Sequence, residues 1–216
     1  MATSATFNSK YSQHYDLFNS DKPYEKEIKF VYEWAQKPKW IFDIGCGTGS
    51  YWKYYPKDVQ VLGVDKSRSM AQRARHAVCA DITKYKHKRR FECATALFDV
   101  LNYIPIHDWW GNIPVDKGGY FIFDIWDKKK VERDGFRQTT KSVDGFIRVI
   151  NPTKVDEKSV DLDIYFYDDM DQEFLEKHKM YLWDQDDVVT FCGSAWELVD
   201  IKATETWQSW YKCRRR

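Results

Sequence analysis

The feature that most constrains this chain is a short apolar run, Trp40-Ile41-Phe42-Asp43-Ile44, that passes directly into three glycines at alternate positions, Gly45-Cys46-Gly47-Thr48-Gly49-Ser50. The pattern reads as a strand, a tight glycine turn and the opening of a helix. Glycine is what a loop uses when its backbone must reach positive φ and when a ligand is to lie directly against the main chain. A ligand site is therefore the first hypothesis. The spacing is Gly-x-Gly-x-Gly with Asp43 two residues upstream. Dinucleotide sites instead use Gly-x-Gly-x-x-Gly to set a pyrophosphate on a helix N-terminus, and the Lys-Ser/Thr of a phosphate loop is missing.

Asp43-Ile44-Gly45-Cys46-Gly47-Thr48-Gly49 resembles the first motif of the class I S-adenosylmethionine-dependent methyltransferases, and later segments fall in that family's order across nearly the whole chain. S-adenosylmethionine has no phosphate to cradle; it carries an ammonium, a carboxylate, a sulfonium and a ribose. A carboxylate at the end of the first strand can meet the ammonium, and bare glycine backbone can lie against the methionine portion. The resemblance implies an α/β fold: a Rossmann-like, seven-stranded, mostly parallel sheet with helices on both faces, its last strand antiparallel, plus an antiparallel sheet inserted after strand five. It also implies S-adenosyl-L-methionine as cofactor and S-adenosyl-L-homocysteine as product. Gly45, Cys46, Gly47 and Gly49 are the loop positions that would bind it.

Val59-Gln60-Val61-Leu62-Gly63-Val64-Asp65 reads as a second buried strand ending in a carboxylate. In a parallel sheet ligands sit outside the C-terminal strand ends, so Asp43 and Asp65 would project toward one crevice. Asp65 is placed to accept both hydroxyls of a ribose, with Lys66 beside it; Met70, on a helix capped by Ser67 and running to about Arg75, resembles the apolar residue near the adenosine. His76 to Ile82 is the third strand and its turn, and by the resemblance Asp81 accepts the adenine amino group while Ile82 offers its backbone N–H. The fourth strand, beginning at Phe91, delivers Phe98-Asp99-Val100-Leu101-Asn102-Tyr103 to the crevice, where Phe98 and Asn102 would border the cofactor.

That last segment bears on substrate class. Methyltransferases of planar base or amide nitrogens usually carry Asn/Asp-Pro-Pro-aromatic here, and this chain does not. It resembles the small-molecule branch, in particular the N-methyltransferases of nucleotide-linked amino sugars. Tyr15-Asp16 followed by Tyr24-x-x-Glu27 looks like the N-terminal lid of such enzymes, in which tyrosines close over the cofactor and face the acceptor. Tyr15, Asp99, Tyr103, His107 and His178 are the catalytic candidates, with Tyr15 also a cofactor contact. A lone histidine in a strand, as His178 would be, is more often structural. The basic run 84–90 invites a nucleic-acid reading, but the formal net charge of +1 argues against a footprint.

The spacing from Pro23 predicts a helix with Asp21 capping its first turn and Pro38 ending it, whereas 11–18 mixes aromatic and polar residues too irregularly for a simple surface helix. A short helix over 51–55, an amphipathic segment at Trp109, Trp110 and Ile113, and a Gly118-Gly119 turn into a fifth strand at Tyr120 come next. Three partly alternating segments, 146–150, 159–167 and 174–183, form the inserted antiparallel sheet, with an acidic turn at 168–171. Asp161, Asp163, Tyr165 and Tyr167 share one face there; solvent is the simpler reading, a wall for a cationic or hydroxyl-rich acceptor the sharper one. Asp184 starts a helix that Gly193 ends, two closing strands complete the chain, and Arg214-Arg215-Arg216 reads as a solvated tail.

With 216 residues, the chain reads as a single domain, 1–216, with a lid and helix over 1–37 and the inserted β segment over 136–183. No apolar run approaches the ~20 residues of a membrane span, and the polar start Met1-Ala2-Thr3-Ser4 lacks the pattern of a signal peptide. Five cysteines without a C-x-x-C pair point to reduced thiols in a cytoplasmic protein, not to zinc or bridges. The function expected is methyl transfer to N or O of a small polar acceptor, plausibly a sugar or sugar nucleotide, by a monomer or homodimer. The alternatives are a protein or nucleic-acid methyltransferase and a protein that binds the cofactor without catalysis.

Overall fold

Alternation along the central strands separates the protein into layers. The computed structural model describes residue 7 and residues 9–105, 108–167 and 173–216. After α1 (Ser9–Phe18) and α2 (Tyr24–Trp34), the chain enters β1 (Trp40–Ile44), β2 (Gln60–Asp65), the single turn α3 (Arg68–Ala71), β3 (Ala77–Cys79), β4 (Phe91–Ala96) and β5 (Val115–Trp126). Then come α4 (Lys128–Asp134), β6 (Thr139–Val143), β7 (Phe146–Val155), β8 (Ser159–Tyr167), β9 (Glu173–Tyr181), α5 (Gln185–Cys192), β10 (Trp196–Ala203) and β11 (Gln208–Arg215). Successive strand residues face opposite ways. Ile41, Cys93 and Ile122 therefore pack with Ile28 and Val31 of α2 on one face. Phe42, Ala94, Phe121 and Phe123 pack with Trp110, Val188 and Cys192 on the other.

The main sheet has seven strands in the order β10-β11-β5-β4-β1-β2-β3. Every pairing is parallel except the two made by β11, which is antiparallel to β5 and to β10. Strand order reverses between β1 and β4, and the crevice of a doubly wound sheet opens at such a point, outside the carboxyl ends of the strands. The inserted unit is a separate antiparallel sheet, β6-β7-β8-β9. Val160, Leu162, Ile164 and Phe166 of β8 bury its inner face against Tyr11 and Phe18 of α1.

Several local expectations are corrected. Residues 9–18 are helical: Tyr11 and Phe18 stand seven apart on the side that meets the inserted sheet, so one buried stripe carries the helix although polar residues are mixed along it. Asp21 does not cap α2, whose N-cap is Pro23; its carboxylate takes the Lys141 ammonium at 2.5 Å instead. The segment at 51–55 is a 3₁₀ turn, Trp52–Tyr54. The helix after Ser67 is one turn long, although Ser67 does cap it. The inserted sheet has a fourth strand, β6, whose sequence Thr-Thr-Lys-Ser-Val shows no apolar alternation because it is an edge strand paired with β7 alone. α4, capped by Asp127, was not expected. The fifth strand begins at Val115, with its register to β4 shifting between Phe91 and Cys93, where Gly118 sits at φ 81°. Arg215 belongs to β11 and donates to the Gly111 carbonyl at 3.0 Å, so it is no free tail. Asp184 forms a capping box with Asp187, and Gly193 is the C-cap, both as expected. The acidic turn at 168–171 lies outside the described residues, and among those described no helix is long and apolar enough to cross a membrane.

Trp196 is fully buried, and its indole Nε1 donates to the Trp110 carbonyl at 2.9 Å. Trp196→Ala should cost ~3–5 kcal/mol through the cavity and the orphaned carbonyl, which lowers Tm by on the order of 10 °C. A thermal melt checks this, with Val199→Ala, at a half-exposed position, expected to shift Tm by less than ~2 °C.

Candidate active site

The glycine loop succeeds β1. Gly45 has φ 64°, Gly47 φ 55° and Gly49 φ 76°, a region that side chains rarely adopt. A Cβ on Gly45 would come within 2.4 Å of Val100 Cγ1, so the bare backbone lets the turn after β4 close onto the loop. A Cβ on Gly47 would meet nothing within 4 Å, so this glycine borders open space. A Cβ on Gly63 would come within 2.5 Å of Cys46 Sγ. Cys46 thus points down onto β2, and burial pushes its thiol far up, so it contributes backbone to the loop and no nucleophile.

Two carboxylates hold the loop. Asp65 accepts from the Gly47 N–H at 2.8 Å and from the Ser67 N–H at 2.7 Å, one bond on each oxygen. Burial pushes its carboxyl up, and those two amide donors restrain the rise. Each oxygen keeps a second lone pair. Asp16, from α1, accepts from the hydroxyls of Thr48 and Ser50, both at 2.6 Å, and so ties the N-terminal helix to the loop. Asp43 sits under the loop at 5% exposure, accepting from Thr95 Oγ1 and Trp52 Nε1, both at 2.7 Å. Its burial raises the pKa from 3.8 to about 6, against the pull of those two bonds.

The crevice above Gly45 and Gly47 is walled by Tyr15, Tyr24, Tyr51 and Phe98. Phe98 and Asp99 both adopt left-handed φ, 70° and 63°. Such backbone costs ~1–2 kcal/mol per non-glycine residue and persists where the surroundings enforce it. Here Asp124, fully buried at the end of β5, accepts both N–H groups, Phe98 at 2.7 Å and Asp99 at 3.1 Å. Gln208 Nε2 bridges the two carboxylates, 2.8 Å from Asp99 and 3.0 Å from Asp124. Burial pushes Asp99 up and Asp124 well above the usual carboxylate range, the Asp99 charge adding to the latter.

The 3₁₀ turn Val100–Tyr103 then carries Tyr103 to the inserted sheet, where its hydroxyl lies 2.9 Å from His178 Nδ1. His178 Nε2 lies 2.9 Å from Glu176 Oε2, and both residues are at most 2% exposed. The Phe7 N–H donates to the same Glu176 oxygen at 2.9 Å, and the Phe7 ring lies 5.4 Å from Tyr103 and 6.0 Å from Tyr15. Tyr15 in turn is 6.4 Å from Phe98, so ring contacts run from the crevice to His178.

Of the residues expected from the sequence, Tyr15, Asp43, Gly45, Cys46, Gly47, Asp65 and Phe98 come together around the crevice, and Gly49 closes its turn by donating to the Cys46 carbonyl. Lys66 and Asp81 pair at 3.1 Å on the surface beside β2 and β3. Met70 and Ile82 are buried. Two expectations are corrected. Asn102 does not border the crevice: it is fully buried, donating to the Tyr181 carbonyl at 2.6 Å and accepting from the Trp126 N–H at 3.0 Å, so it joins β5 to β9. Asp99 turns toward Gln208 and Asp124, away from any acceptor. His107 lies outside the described residues. The face of Asp161 and Asp163 is a solvent face, with ion pairs to Lys179 and Lys177. The basic run 84–90 lies at the opposite end of the sheet, where Arg89 stacks on Trp40 and Arg90 donates to the Val115 carbonyl. The sequence reading missed Glu176. The signal was available: Phe174, Glu176, His178 and Met180 share parity, so the acid lies on the buried face.

Residues 41–113 match a family model described as a methyltransferase domain. The match spans about a third of the chain. Among solved structures it is similar to an S-adenosylmethionine-dependent methyltransferase of Clostridium acetobutylicum, with 21% identity and a TM-score of 0.80 over 95% of this chain and 98% of that one. It is also similar to CalS10, an amino pentose methyltransferase of Micromonospora echinaspora solved with S-adenosylmethionine bound, with 17% identity and a TM-score of 0.74 over 100% of both chains. A third is the sugar N-methyltransferase KedS8 of a Streptoalloteichus species, with 17% identity and a TM-score of 0.76 over 94% of this chain and 92% of that one. No curated protein sequence matches the chain. The fold is thus that of the solved S-adenosylmethionine-dependent methyltransferases, one of which holds S-adenosylmethionine. The residues present fit that group, since Gly47 leaves open space over the loop and Asp65 keeps acceptor capacity for hydroxyls.

Asp65→Ala should weaken S-adenosylmethionine binding more than tenfold by calorimetry, because it removes both the acceptor and the clamp on Gly47. Asp43 has the reverse balance of stability and function. Its folded-state pKa, about 6, lies above the ordinary 3.8, so folding favours the protonated form and stability falls as pH rises from about 4 to about 6. Above that window the charge costs at most ~3 kcal/mol. Asp43→Asn should therefore melt higher than the parent at pH 8, show little advantage at pH 4, and bind S-adenosylmethionine more weakly at pH 8.

Proposed function

We propose that the protein transfers the methyl group of S-adenosyl-L-methionine to N or O of a small polar acceptor, a sugar or sugar nucleotide being the best fit, and releases S-adenosyl-L-homocysteine. The observation that carries this reading is the enclosure of the crevice. Tyr15 and Tyr24 of the N-terminal helices wall the glycine loop with aromatic rings, and Tyr103 meets His178 nearby, an arrangement that supports a small acceptor over a folded macromolecular surface. The solved sugar N-methyltransferase and amino pentose methyltransferase of the same fold support the acceptor class.

When bound, S-adenosylmethionine supplies a methyl carbon already activated by the sulfonium. The protein's task is to orient and to keep the site dry, and proximity alone can contribute ~7–11 kcal/mol. Asp43, Gly45, Gly47 and Asp65 would hold the cofactor, with Asp81 and the Ile82 backbone toward the adenine. Phe98 and Tyr15 would border the methyl group, and Tyr15, Tyr103 and His178 would face the acceptor. Burial pushes both phenols well above their ordinary range, so they act as neutral hydroxyls. Five free thiols suit a cytoplasmic protein.

Calorimetry with S-adenosylmethionine and S-adenosylhomocysteine tests the cofactor, and mass spectrometry of a panel tests the acceptor: a nucleotide-linked amino sugar, its hydroxyl analogue, a free amino sugar, a histone-like peptide and an oligonucleotide. Binding of both cofactor forms and a methyl gain on a sugar are expected. Absence of binding would overturn the reading, methylation of the peptide or oligonucleotide alone would replace the acceptor class, and binding without turnover on any acceptor would favour a sensor.

A further inference from the structure

We propose that Glu176 is the positioning residue of a proton relay in which Tyr103 takes a proton from the acceptor and passes its own to His178. The inference rests on the methyltransferase reading and adds to it that the acceptor's proton leaves through the inserted sheet. The geometry fixes the direction. An ionised carboxylate can only accept, and Glu176 Oε2 already receives the Phe7 N–H at 2.9 Å. In the proposed relay Glu176 is the ionised partner, and the hydrogen between it and His178 Nε2, 2.9 Å away, is carried by the imidazole. A neutral imidazole with Nε2 protonated has its lone pair on Nδ1, and Nδ1 is the atom 2.9 Å from the Tyr103 hydroxyl. Tyr103 therefore donates to His178, and its oxygen keeps the capacity to accept a proton. Removing the carboxylate would free the ring to take the other tautomer, with Nδ1 donating to Tyr103 and the relay closed.

In the reaction the acceptor's lone pair forms the new bond to the methyl carbon while the C–S pair returns to sulfur. The proton made acidic on the acceptor goes to Tyr103 Oη, the phenol's own proton goes to His178 Nδ1, and the resulting imidazolium is held against Glu176. General-base assistance of this kind contributes ~10²- to 10⁴-fold. Among the described residues, Tyr11, Asp99, Glu176 and Arg148 act electrostatically on Tyr103. Tyr103 comes from the 3₁₀ turn, and Tyr11 of α1 has its ring 6.2 Å from His178. Arg148 of β7 places a positive charge near Tyr11 and Tyr103. Tyr11, Arg148 and the Phe7 ring keep water from the histidine.

The decisive measurement needs no acceptor. In protein labelled with ¹⁵N-histidine, with the His178 signals identified by their loss in His178→Gln, the relay requires Nε2 protonated and Nδ1 bare at pH 7.5. In Glu176→Ala the two nitrogens should move toward averaged shifts. The opposite tautomer in the parent protein would overturn the proposal. Should Glu176→Ala not fold, Tyr103→Phe replaces it: Nδ1 should then shift by losing its donor, while calorimetric affinity for S-adenosylmethionine stays within twofold. An unmoved Nδ1 would likewise sink the relay. With whichever acceptor of the panel is methylated, Tyr103→Phe and Glu176→Gln should each lower kcat at least tenfold at unchanged cofactor KM, and loss confined to KM would reduce Glu176 to a structural role. Failure of the parent to bind S-adenosylmethionine would refute the methyltransferase reading and leave the tautomer result standing on its own.

Discussion

The carboxylate of Asp124 is the constraint on which the rest of the site depends. It is fully buried, and with its two oxygens it takes the N–H groups of Phe98 and Asp99, two consecutive non-glycine residues in left-handed backbone. Without that grip the turn would relax toward the right-handed region and rotate everything after it. The 3₁₀ turn comes immediately after Asp99, and its residues serve different ends. Val100 packs on Gly45 and so touches the cofactor loop. Asn102 ties the end of β5 to β9. Tyr103 reaches His178. One buried carboxyl group thus sets the position of the glycine loop and the inserted sheet relative to one another.

Such charges oppose stability. Asp43, Asp99 and Asp124 are all buried, and burial pushes the carboxyl of each upward. A buried carboxylate costs free energy unless donors surround it. These three are met by an indole, a threonine hydroxyl, a glutamine amide and main-chain N–H groups, not by a cation in contact. The lysine pairs sit mostly on the surface, as between Lys66 and Asp81, where an exposed pair contributes ~0–1 kcal/mol. Buried acids with raised pKa values gather at functional sites, and there they are retained against their cost.

The cofactor half was legible in the sequence because its chemistry is local. The glycine loop, Asp65 at a strand end and the strand–turn–strand rhythm are each written in adjacent residues, and the parallel sheet brings the strand ends together by topology alone. Other parts were harder to read because they are made by contacts far apart in the chain. Tyr103 and His178 are 75 positions apart, and Asp16 meets Thr48 and Ser50 of the glycine loop over 32 and 34 positions. Glu176 lies in a strand rich in lysine, and its parity with Phe174 and Met180 marks it as inward-facing. Asn102 and Asp99 were misplaced for a related reason: position in a motif says which segment enters the crevice, whereas hydrogen bonds to Tyr181 and Gln208 decide which side chains point into it.

The N-terminal helix joins the two halves. Asp16 binds the hydroxyls of the glycine loop, while Tyr11 and Phe18 on the same helix pack into the inserted sheet. Phe7, just upstream, carries the linkage further, its carbonyl accepting from Ser67 and Ser69 beside the cofactor end and its N–H donating to Glu176 beside the acceptor end. A ligand that enters the crevice must therefore pass a segment fastened to both walls by a few hydrogen bonds, each worth ~1 kcal/mol net. That is weak enough to open and directional enough to close in one register.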